Sequence, residues 1–202
     1  MLSFNPSENT ERENYKLMIG TIIPRPIAFI TSMSADRIVN AAPFSYFNIA
    51  ATDPPMLSVS IQRKDGVQKD SARNIMETGE FVIHIVDEDN VAEVNKTAAN
   101  LASNESEIDV TNLELVDSTI VSVPAVKNAK ARFECKLEKA VELGSDGKTT
   151  TDLIIGKIEQ FHIAEQIYEA GKINYDKLKA VSRLAGNDYA KVGEVFSIER
   201  PK

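Results

Sequence analysis

The segment KDSARN, residues 69 to 74, places a lysine, a carboxylate and a hydroxyl at the start of a predicted helix. The first turn of a helix has backbone N–H groups without intrahelical acceptors and carries the positive end of the helix dipole. Lys69 adds a positive charge and Ser71 a hydroxyl donor, so the segment could bind a phosphate. An ordinary capped helix with a solvated lysine explains the same residues. Asp70 would repel a phosphate unless its carboxylate pointed away or capped the helix.

A second segment, NAAPFSYFNIAATDPP at residues 40 to 55, gathers aromatic, hydroxyl and amide side chains. Its prolines prevent it from being a regular strand throughout. Phe44, Tyr46 and Phe47 could pack around a flat heteroaromatic ring. Ser45 and Asn48 could orient that ring in a mostly apolar pocket. An aromatic corner of the core, or an interface between subunits, accounts for the same residue types.

Three further hydroxyls lie on predicted strands. Thr31 and Ser32 end the apolar run FITS, where they could bind a polyol chain, although such hydroxyls more often bind local backbone. PMLSVSIQ alternates between apolar and polar residues, as a half-exposed strand does. Ser60 lies on its polar face and could reach the same phosphate as Lys69.

The remaining residues with chemical potential carry weaker signals. In SRLAGNDYA, Arg183 and Tyr189 could place a guanidinium and a phenol at the edge of a site, but a surface arginine is the usual explanation. His84 and His162 adjoin no serine or cysteine motif that suggests a catalytic triad, so we interpret both as structural. Cys135 shares the apolar phase of its strand and is predicted to be a small core residue.

Composition excludes several classes of function. The 202 residues include 30 acidic and 23 basic side chains, a net charge of −7, and no Lys/Arg-rich run, so we expect no nucleic-acid partner. One cysteine cannot form a disulfide within the chain and fits a reducing cytoplasm. We find no HExxH pattern, and the acidic cluster at residues 87 to 89 lacks calcium-ligand spacing, so we predict a solvated turn and no metal site. No signal peptide or membrane span is predicted.

The elements that must position these residues are mostly strands. Residues 19 to 33 contain two β-like runs interrupted by prolines, and EFVIHIV is a further strand. ARFECKLEKAVEL and DLIIGKIEQFHIAEQI alternate with period two and flank GSDGKTTT, in which Asp146-Gly147 is a hairpin turn signal. STIVSVPAV is predicted to be a short strand that ends at Pro124.

Two short helices and one loop complete the pattern. KDSARNIMETG is predicted to be a helix capped by Asp70 or Ser71 and ended by Gly79. DNVAEVNKTAANL has apolar residues at helical spacing, with Asp87 or Asp89 as its cap. Residues 104 to 118 are polar and acidic and are expected to form an exposed excursion.

Many strands with few short helices predict a mainly β fold, a closed or partly closed antiparallel barrel with helices added. The regular strand–helix alternation of a parallel doubly wound sheet is missing. GxGxxG and GxxxxGK[ST] fingerprints are also absent from the sequence.

In their order, the motifs IPRPIAFITS, NAAPFSYFN, DPPMLSVSI, KDSARNI with TGEFVIHI, LIIGKIEQFHI and SRLAGNDY resemble the flavin reductase-like family of FMN-binding split-barrel proteins, in its flavoredoxin-like branch. The resemblance runs from about residue 15 to residue 190. It implies a Greek-key-like, antiparallel split β-barrel, a single domain over residues 1–202, and a homodimer with FMN near the subunit interface.

The resemblance also assigns the binding residues. The isoalloxazine ring would lie against APFSYFN, and the ribityl chain and phosphate would meet ITS, the serine-bearing strand and KDS. The implied cofactor-binding residues are Thr31, Ser32, Ser45, Tyr46, Phe47, Asn48, Ser60, Lys69, Asp70, Ser71 and Asn74, with Arg183 and Tyr189 serving this site or that of a partner subunit. The family usually has Thr at the position of Ser71 and Gly at that of Ala185. The second difference would be costly if that backbone needed a positive φ.

The function implied is that of an FMN-dependent oxidoreductase that takes hydride from NAD(P)H and passes electrons to an unidentified acceptor. Because the flavin carries the chemistry, no catalytic side chain is expected. One alternative is an electron carrier or flavin-storage protein without its own NAD(P)H turnover. Another is a barrel that has lost its flavin and acts as a dimeric interaction module.

Overall fold

The computed structural model describes residues 1–99 and 101–201. The helices are α1 (Glu11–Thr21), α2 (Asp70–Thr78), α3 (Val91–Lys96) and α4 (Tyr175–Leu178), with 3₁₀ turns at Glu107–Val110 and Glu165–Ile167. The strands are β1 (Arg25–Pro26), β2 (Ala28–Met33), β3 (Val39–Phe44), β4 (Phe47–Thr52), β5 (Pro55–Gln62), β6 (Glu80–Ile85), β7 (Leu115–Val116), β8 (Ala125–Val126), β9 (Ala131–Ser145), β10 (Lys148–Ile163), β11 (Tyr168–Glu169), β12 (Lys172–Ile173), β13 (Val181–Arg183) and β14 (Tyr189–Lys191).

The main sheet has the strand order β3-β2-β6-β9-β10-β5-β4, and its neighbours pair antiparallel. Its two edge strands, β3 and β4, are consecutive in the chain and are joined by Ser45 and Tyr46 alone. The sheet must therefore curl until its edges approach each other. The Tyr46 carbonyl accepts a hydrogen bond from the Ser60 N–H (2.9 Å), which fixes this junction against β5. The predicted antiparallel, mainly β barrel with short helices is confirmed.

The β9–β10 hairpin turns at Asp146 and Gly147, as the sequence predicts. Their φ angles are 52° and 74°, and a two-residue turn with positive φ at both positions matches the twist of the strands it joins. β10 pairs with β9 on one side and with β5 on the other. This hairpin therefore forms the centre of the sheet.

The barrel interior is filled by alternate residues of its strands. On β5, Leu57, Val59 and Ile61 are buried, whereas Ser58 and Ser60 of the polar phase are half-buried. The predicted half-exposed strand is therefore confirmed, and Cys135 is a core residue as expected. α2 packs Ala72 and Ile75 into the same cluster and ends at Gly79, whose φ is 75°.

Some boundaries differ from the sequence predictions. Residues 19–21, predicted to be β-like, end helix α1, which begins with a capping box between Thr10 and Glu13. The N-cap of α2 is Lys69 rather than Asp70 or Ser71. α3 stops at Lys96 and has Asn90 as its N-cap.

The chain before Pro124 is not the predicted strand. Residues 117–124 loop around the fully buried carboxylate of Glu134, which accepts the backbone N–H groups of Thr119 (2.7 Å), Ile120 (2.5 Å) and Val121 (3.0 Å). Those N–H groups are consequently unavailable to a strand ladder. The alternation of apolar and polar residues cannot show that a buried carboxylate, rather than a neighbouring strand, accepts these N–H groups.

Residues 104–118 are not wholly exposed either. Glu107 is buried, and Ile108, Leu113 and Leu115 pack against the core. Asp87 is also buried rather than part of a solvated turn: its Oδ1 accepts the N–H groups of Asp89 (2.9 Å) and Asn90 (3.2 Å). Apolar residues at irregular spacing were the only sequence sign of this packing.

Both histidines have structural contacts, as predicted. His84 is buried, and its Nε2 accepts the Val126 N–H (2.8 Å), so the ring proton lies on Nδ1 and is donated to the Phe29 carbonyl (3.0 Å). Burial lowers the pKa of His84 to about 4. His162 Nε2 lies 2.6 Å from Oε1 of Glu134. Among the described helices, none is long and apolar enough to cross a membrane.

Candidate functional site

The junction between the two edges of the sheet opens into a cavity of about 320 Å³, here called the main cavity. It runs from the start of α2 to the junction residues Ser45 and Tyr46, and α1 and β13 contribute to its walls. A second depression of about 470 Å³, the outer groove, shares Arg25, Ser45, Tyr46 and Ser60 with it. Their sizes fall in the usual range for small-molecule sites.

The cavities bring together most of the predicted binding residues. The main cavity is lined by Ser45, Tyr46, Ser60, Lys69, Asp70, Ser71 and Arg183, and the outer groove adds Phe47 and Asn48. Tyr189 lines a side pocket of about 170 Å³ that adjoins the main cavity at Ser45 and Arg183. Segments distant in the chain therefore converge on one site.

Thr31, Ser32 and Asn74 do not line these cavities, contrary to their predicted role as direct contacts. Both faces of β2 are buried, and the Thr31 hydroxyl donates to the Pro124 carbonyl (2.7 Å) on the face away from the barrel interior. Ser32 is fully buried and accepts a long hydrogen bond from Asn74 Nδ2 (3.4 Å). Ser32 and Asn74 form a buried polar layer behind the cavity wall.

The start of α2 is suited to an anion. Lys69 occupies the N-cap position and makes no side-chain capping hydrogen bond, so the first N–H groups of the helix are left without a side-chain acceptor. Asp70 forms an ion pair with Arg73 on the next turn and does not cap the helix. The conflict between Asp70 and a phosphate is therefore reduced, because its charge is neutralised within α2.

A polar cluster that the sequence did not identify closes the cavity near α2. The Ser71 hydroxyl and the Asn40 side chain lie 2.7 Å apart. With its amide oxygen toward Ser71, Asn40 also donates to Oε1 of Glu107 (3.3 Å), whose Oε2 accepts the Ala41 N–H (2.9 Å). Burial raises the pKa of Glu107. Glu107 was hidden because its segment reads as a polar loop.

The opposite end of the site is aromatic and basic. Tyr46 and Phe47 are half-buried, and burial raises the pKa of the Tyr46 hydroxyl. The guanidinium of Arg183 lies 4.5 Å from the centroid of the Tyr189 ring, a cation–π distance. Ala185 has no positive φ, and Gly186 takes that conformation (58°), so alanine is not strained there.

This donor set fits a flavin, a cofactor that combines phosphate with a flat ring system. A helix start with a lysine suits one terminal phosphate, and the half-buried aromatic junction suits a flat ring system. Among the described residues there is no cluster of His, Cys, Asp and Glu that could hold a metal ion. The groups that the site does offer are donors for a phosphate and aromatic side chains for a ring.

Comparison with known proteins identifies the family. Residues 19–179 match the family model of the flavin reductase like domain, which covers well over half of the chain. The chain belongs to the flavin reductase-like family. Its fold is the split β-barrel of flavin reductases, as the motif order predicted.

Several known proteins are similar to this chain over nearly their whole length. The YwrF protein of Bacillus subtilis (strain 168) is 50% identical over 204 residues, covering 100% of both chains. The crystal structure of nitrilotriacetate monooxygenase component B from Bacillus cereus has a TM-score of 0.96 and 54% identity, with 98% of each chain covered. The 2-nitrobenzoate 2-nitroreductase NbaA of Pseudomonas fluorescens has a TM-score of 0.88 and 27% identity, with 99% of this chain and 96% of that chain covered.

Proposed function

We propose that the protein binds FMN across the main cavity and the outer groove and acts as an NAD(P)H-dependent, flavin reductase-type oxidoreductase. The observation that carries this proposal is that the two cavities adjoin and share lining residues. Together they join the uncapped start of α2, beside Lys69, to the aromatic junction at Ser45 and Tyr46. A flavin mononucleotide has a phosphate at one end and a flat ring at the other, in the same arrangement.

The charges near α2 support FMN over FAD. One helix start and one lysine suit a single phosphate group. Asp70, whose charge Arg73 neutralises, and Glu107 line the same end of the cavity, and their carboxyl groups are not phosphate donors. The second phosphate of FAD would meet these groups instead of a second helix start or lysine.

In this proposal the side chains bind and orient, and none acts as an acid, base or nucleophile. Bound FMN would supply the redox chemistry, because it can accept a hydride from NAD(P)H and pass electrons to an acceptor. Lys69 and the N–H groups of α2 would hold the phosphate. Tyr46 and Phe47 would exclude water from the ring, and the Ser60 hydroxyl would face the polyol chain between the two ends.

We also propose that a second copy of the chain covers the outer groove. Apolar side chains of α1 and its neighbourhood lie exposed beside it, including Met18 (50% exposed), Ile22 (62%) and Ile23 (48%). Ile49 on edge strand β4 is 69% exposed. An apolar rim of this kind marks an interaction surface. A cytoplasmic location remains a prediction from the single cysteine.

The test is an absorption spectrum of the purified protein, titrated with FMN and FAD and then mixed anaerobically with NADH or NADPH. We expect FMN to bind more tightly than FAD and its absorption to bleach with a nicotinamide. Binding without bleaching would favour the electron carrier or flavin-storage alternative. Failure of either flavin to bind would overturn the proposal. Light scattering on the same sample would measure the mass of the assembly.

A further inference from the structure

Two arginines occupy one rung of the small β1-β13-β14 sheet. Arg25 on β1 and Arg183 on β13 are register partners in the antiparallel pair, and both line the main cavity. Like charges directly opposite each other in a sheet are destabilising unless something offsets them. The rung therefore needs a source of negative charge or strong dipoles.

Neither guanidinium has a carboxylate partner among the described residues. Arg25 is 7% exposed, and its Nη1 donates to the carbonyls of Ile19 (2.8 Å) and Ile22 (2.5 Å), while its Nη2 donates to that of Leu184 (2.8 Å). Arg183 donates to the Gly186 carbonyl (2.5 Å). The buried Nε of Arg25 has no acceptor. A buried ion is usually paired, because removing it from water is costly.

Capping of α1 explains part of this arrangement. The carbonyls of Ile19 and Ile22 lie at the C-terminal end of the helix, where a cation is favoured. Capping does not require the arginine to line both cavities, nor to face a second arginine. Burial raises the pKa of Tyr46, and Tyr15 adds to the rise. Arg25 lies close enough for its positive charge to oppose this rise. Its field therefore reaches the proposed ring site.

We propose that the Arg25–Arg183 rung is the electrostatic element that favours the reduced flavin, with Arg25 as the larger contributor. The inference rests on the proposed function. Hydride transfer from NAD(P)H moves two electrons and one proton, so the flavin gains one negative charge while the nicotinamide becomes oxidised. An unpaired buried cation attracts that charge more strongly than a half-exposed one, because solvent screens it less.

The test measures the affinity of the protein for oxidised and reduced FMN, or equivalently the midpoint potential of the bound flavin. We expect Arg25→Gln to lower the affinity for reduced FMN about tenfold more than the affinity for oxidised FMN, since one nearby positive charge is lost. For a two-electron couple that ratio corresponds to a potential about 30 mV lower. Arg183→Gln is expected to shift the potential in the same direction by less.

Arg25→Lys separates charge from capping. Lysine keeps the positive charge but cannot donate to three carbonyls, so this variant should lose thermal stability yet keep a potential close to that of the unmodified protein. Arg12→Gln removes a charge from the exposed face of α1 and is the matched control. If Arg25→Gln lowered the affinity for oxidised and reduced FMN equally and left the potential unchanged, the inference would be overturned. Arg25 would then serve only to cap the C-terminal end of α1.

The unmodified protein provides a measurement that does not depend on whether the variants fold. If the rung dominates the electrostatics of the site, we expect reduced FMN to bind more tightly than oxidised FMN, so that the bound potential exceeds that of free FMN. A bound potential below that of free FMN, with no further fall in Arg25→Gln, would overturn the inference while leaving the proposed function intact. Failure to bind flavin at all would instead overturn the proposed function.

Discussion

Ser71 in the first turn of α2 and Asn40 on β3 are joined by a side-chain hydrogen bond of 2.7 Å, with the hydroxyl donating to the amide oxygen. Both side chains are buried. A hydroxyl has one proton to donate, and here that proton is committed to the wall of the cavity. A phosphate at the start of α2 would therefore depend on Lys69 and on backbone N–H groups more than on Ser71.

Ser71→Ala is expected to affect folding more than cofactor binding. It leaves the Asn40 amide buried with one partner fewer, which costs about 1–3 kcal/mol in the free energy of unfolding. Urea denaturation checks this, and Ser71→Thr, which keeps the hydroxyl, should recover most of the loss. A large loss of FMN affinity at unchanged stability would show that the hydroxyl contacts the phosphate directly.

Lys69→Ala is expected to weaken FMN binding by about 1.5–3 kcal/mol, the size of a hydrogen bond to a charged group. Riboflavin, which has no phosphate, should bind both proteins equally, so the ratio of the two affinities isolates the phosphate contribution. Lys64→Ala removes an exposed lysine from the same connection and is the control. Unchanged FMN affinity in a flavin titration would reject the assignment of Lys69.

The low pKa of Glu134 predicts that the protein loses stability in acid. Burial alone would raise its pKa, but hydrogen bonds from the backbone N–H groups of Thr119 and Ile120, and then from His162 and Val121, lower it to about 2. A carboxyl whose folded pKa lies below its unfolded value stabilises the fold above the unfolded pKa of 4.5, and this is lost as pH falls toward 2. The contribution is about 3 kcal/mol.

The corresponding experiment compares Glu134→Gln with Glu138→Gln, an exposed glutamate on the same strand. The free energy of unfolding of the first variant should be lower at neutral pH and should change less between pH 5 and pH 2, roughly the range over which the group titrates. The second variant should follow the unmodified protein. Parallel curves for all three proteins would contradict the assigned pKa.

Gly156 on β10 predicts a packing defect. A Cβ added there would lie 2.2 Å from Cζ of Phe81, a fully buried ring. Gly156→Ala should therefore lower the free energy of unfolding by about 1–3 kcal/mol. In a protein that already carries Phe81→Leu, which removes the ring, the same alanine substitution should cost less.

Gly20 in α1 provides the opposite case, because a Cβ there meets nothing within 4 Å. Gly20→Ala should raise the free energy of unfolding by about 0.5–1 kcal/mol.

Local patterns in the sequence predict much of this fold. Alternation identifies β5, β9 and β10, the Asp146-Gly147 pair identifies the hairpin, and Gly79 marks the end of α2. These features depend on residues close together in the chain. Residue types and the order of the motifs identified the lysine and hydroxyl at the start of α2. They also identified the junction at Ser45 and Tyr46.

The missed features depend on contacts between distant residues. Arg25 stands in the quoted motif IPRPIAFITS, and only its distant partners, the Leu184 carbonyl and Arg183, distinguish it from a surface arginine. Glu134 alternates like an exposed strand residue, although it organises the loop at residues 117–124. The contact of the Thr31 hydroxyl with the Pro124 carbonyl is of the same kind, since it joins two segments far apart in the chain.

The β9–β10 hairpin has a consequence for the order of folding. Its pairs are local in sequence and its turn is only two residues long, so we expect it to form early, with β5 and β6 adding to its edges. The main cavity requires residues from as far apart as Tyr15 and Gly186, and it cannot exist until the last of these segments arrives. Recovery of flavin binding during refolding would therefore report the final event, and not the collapse that precedes it.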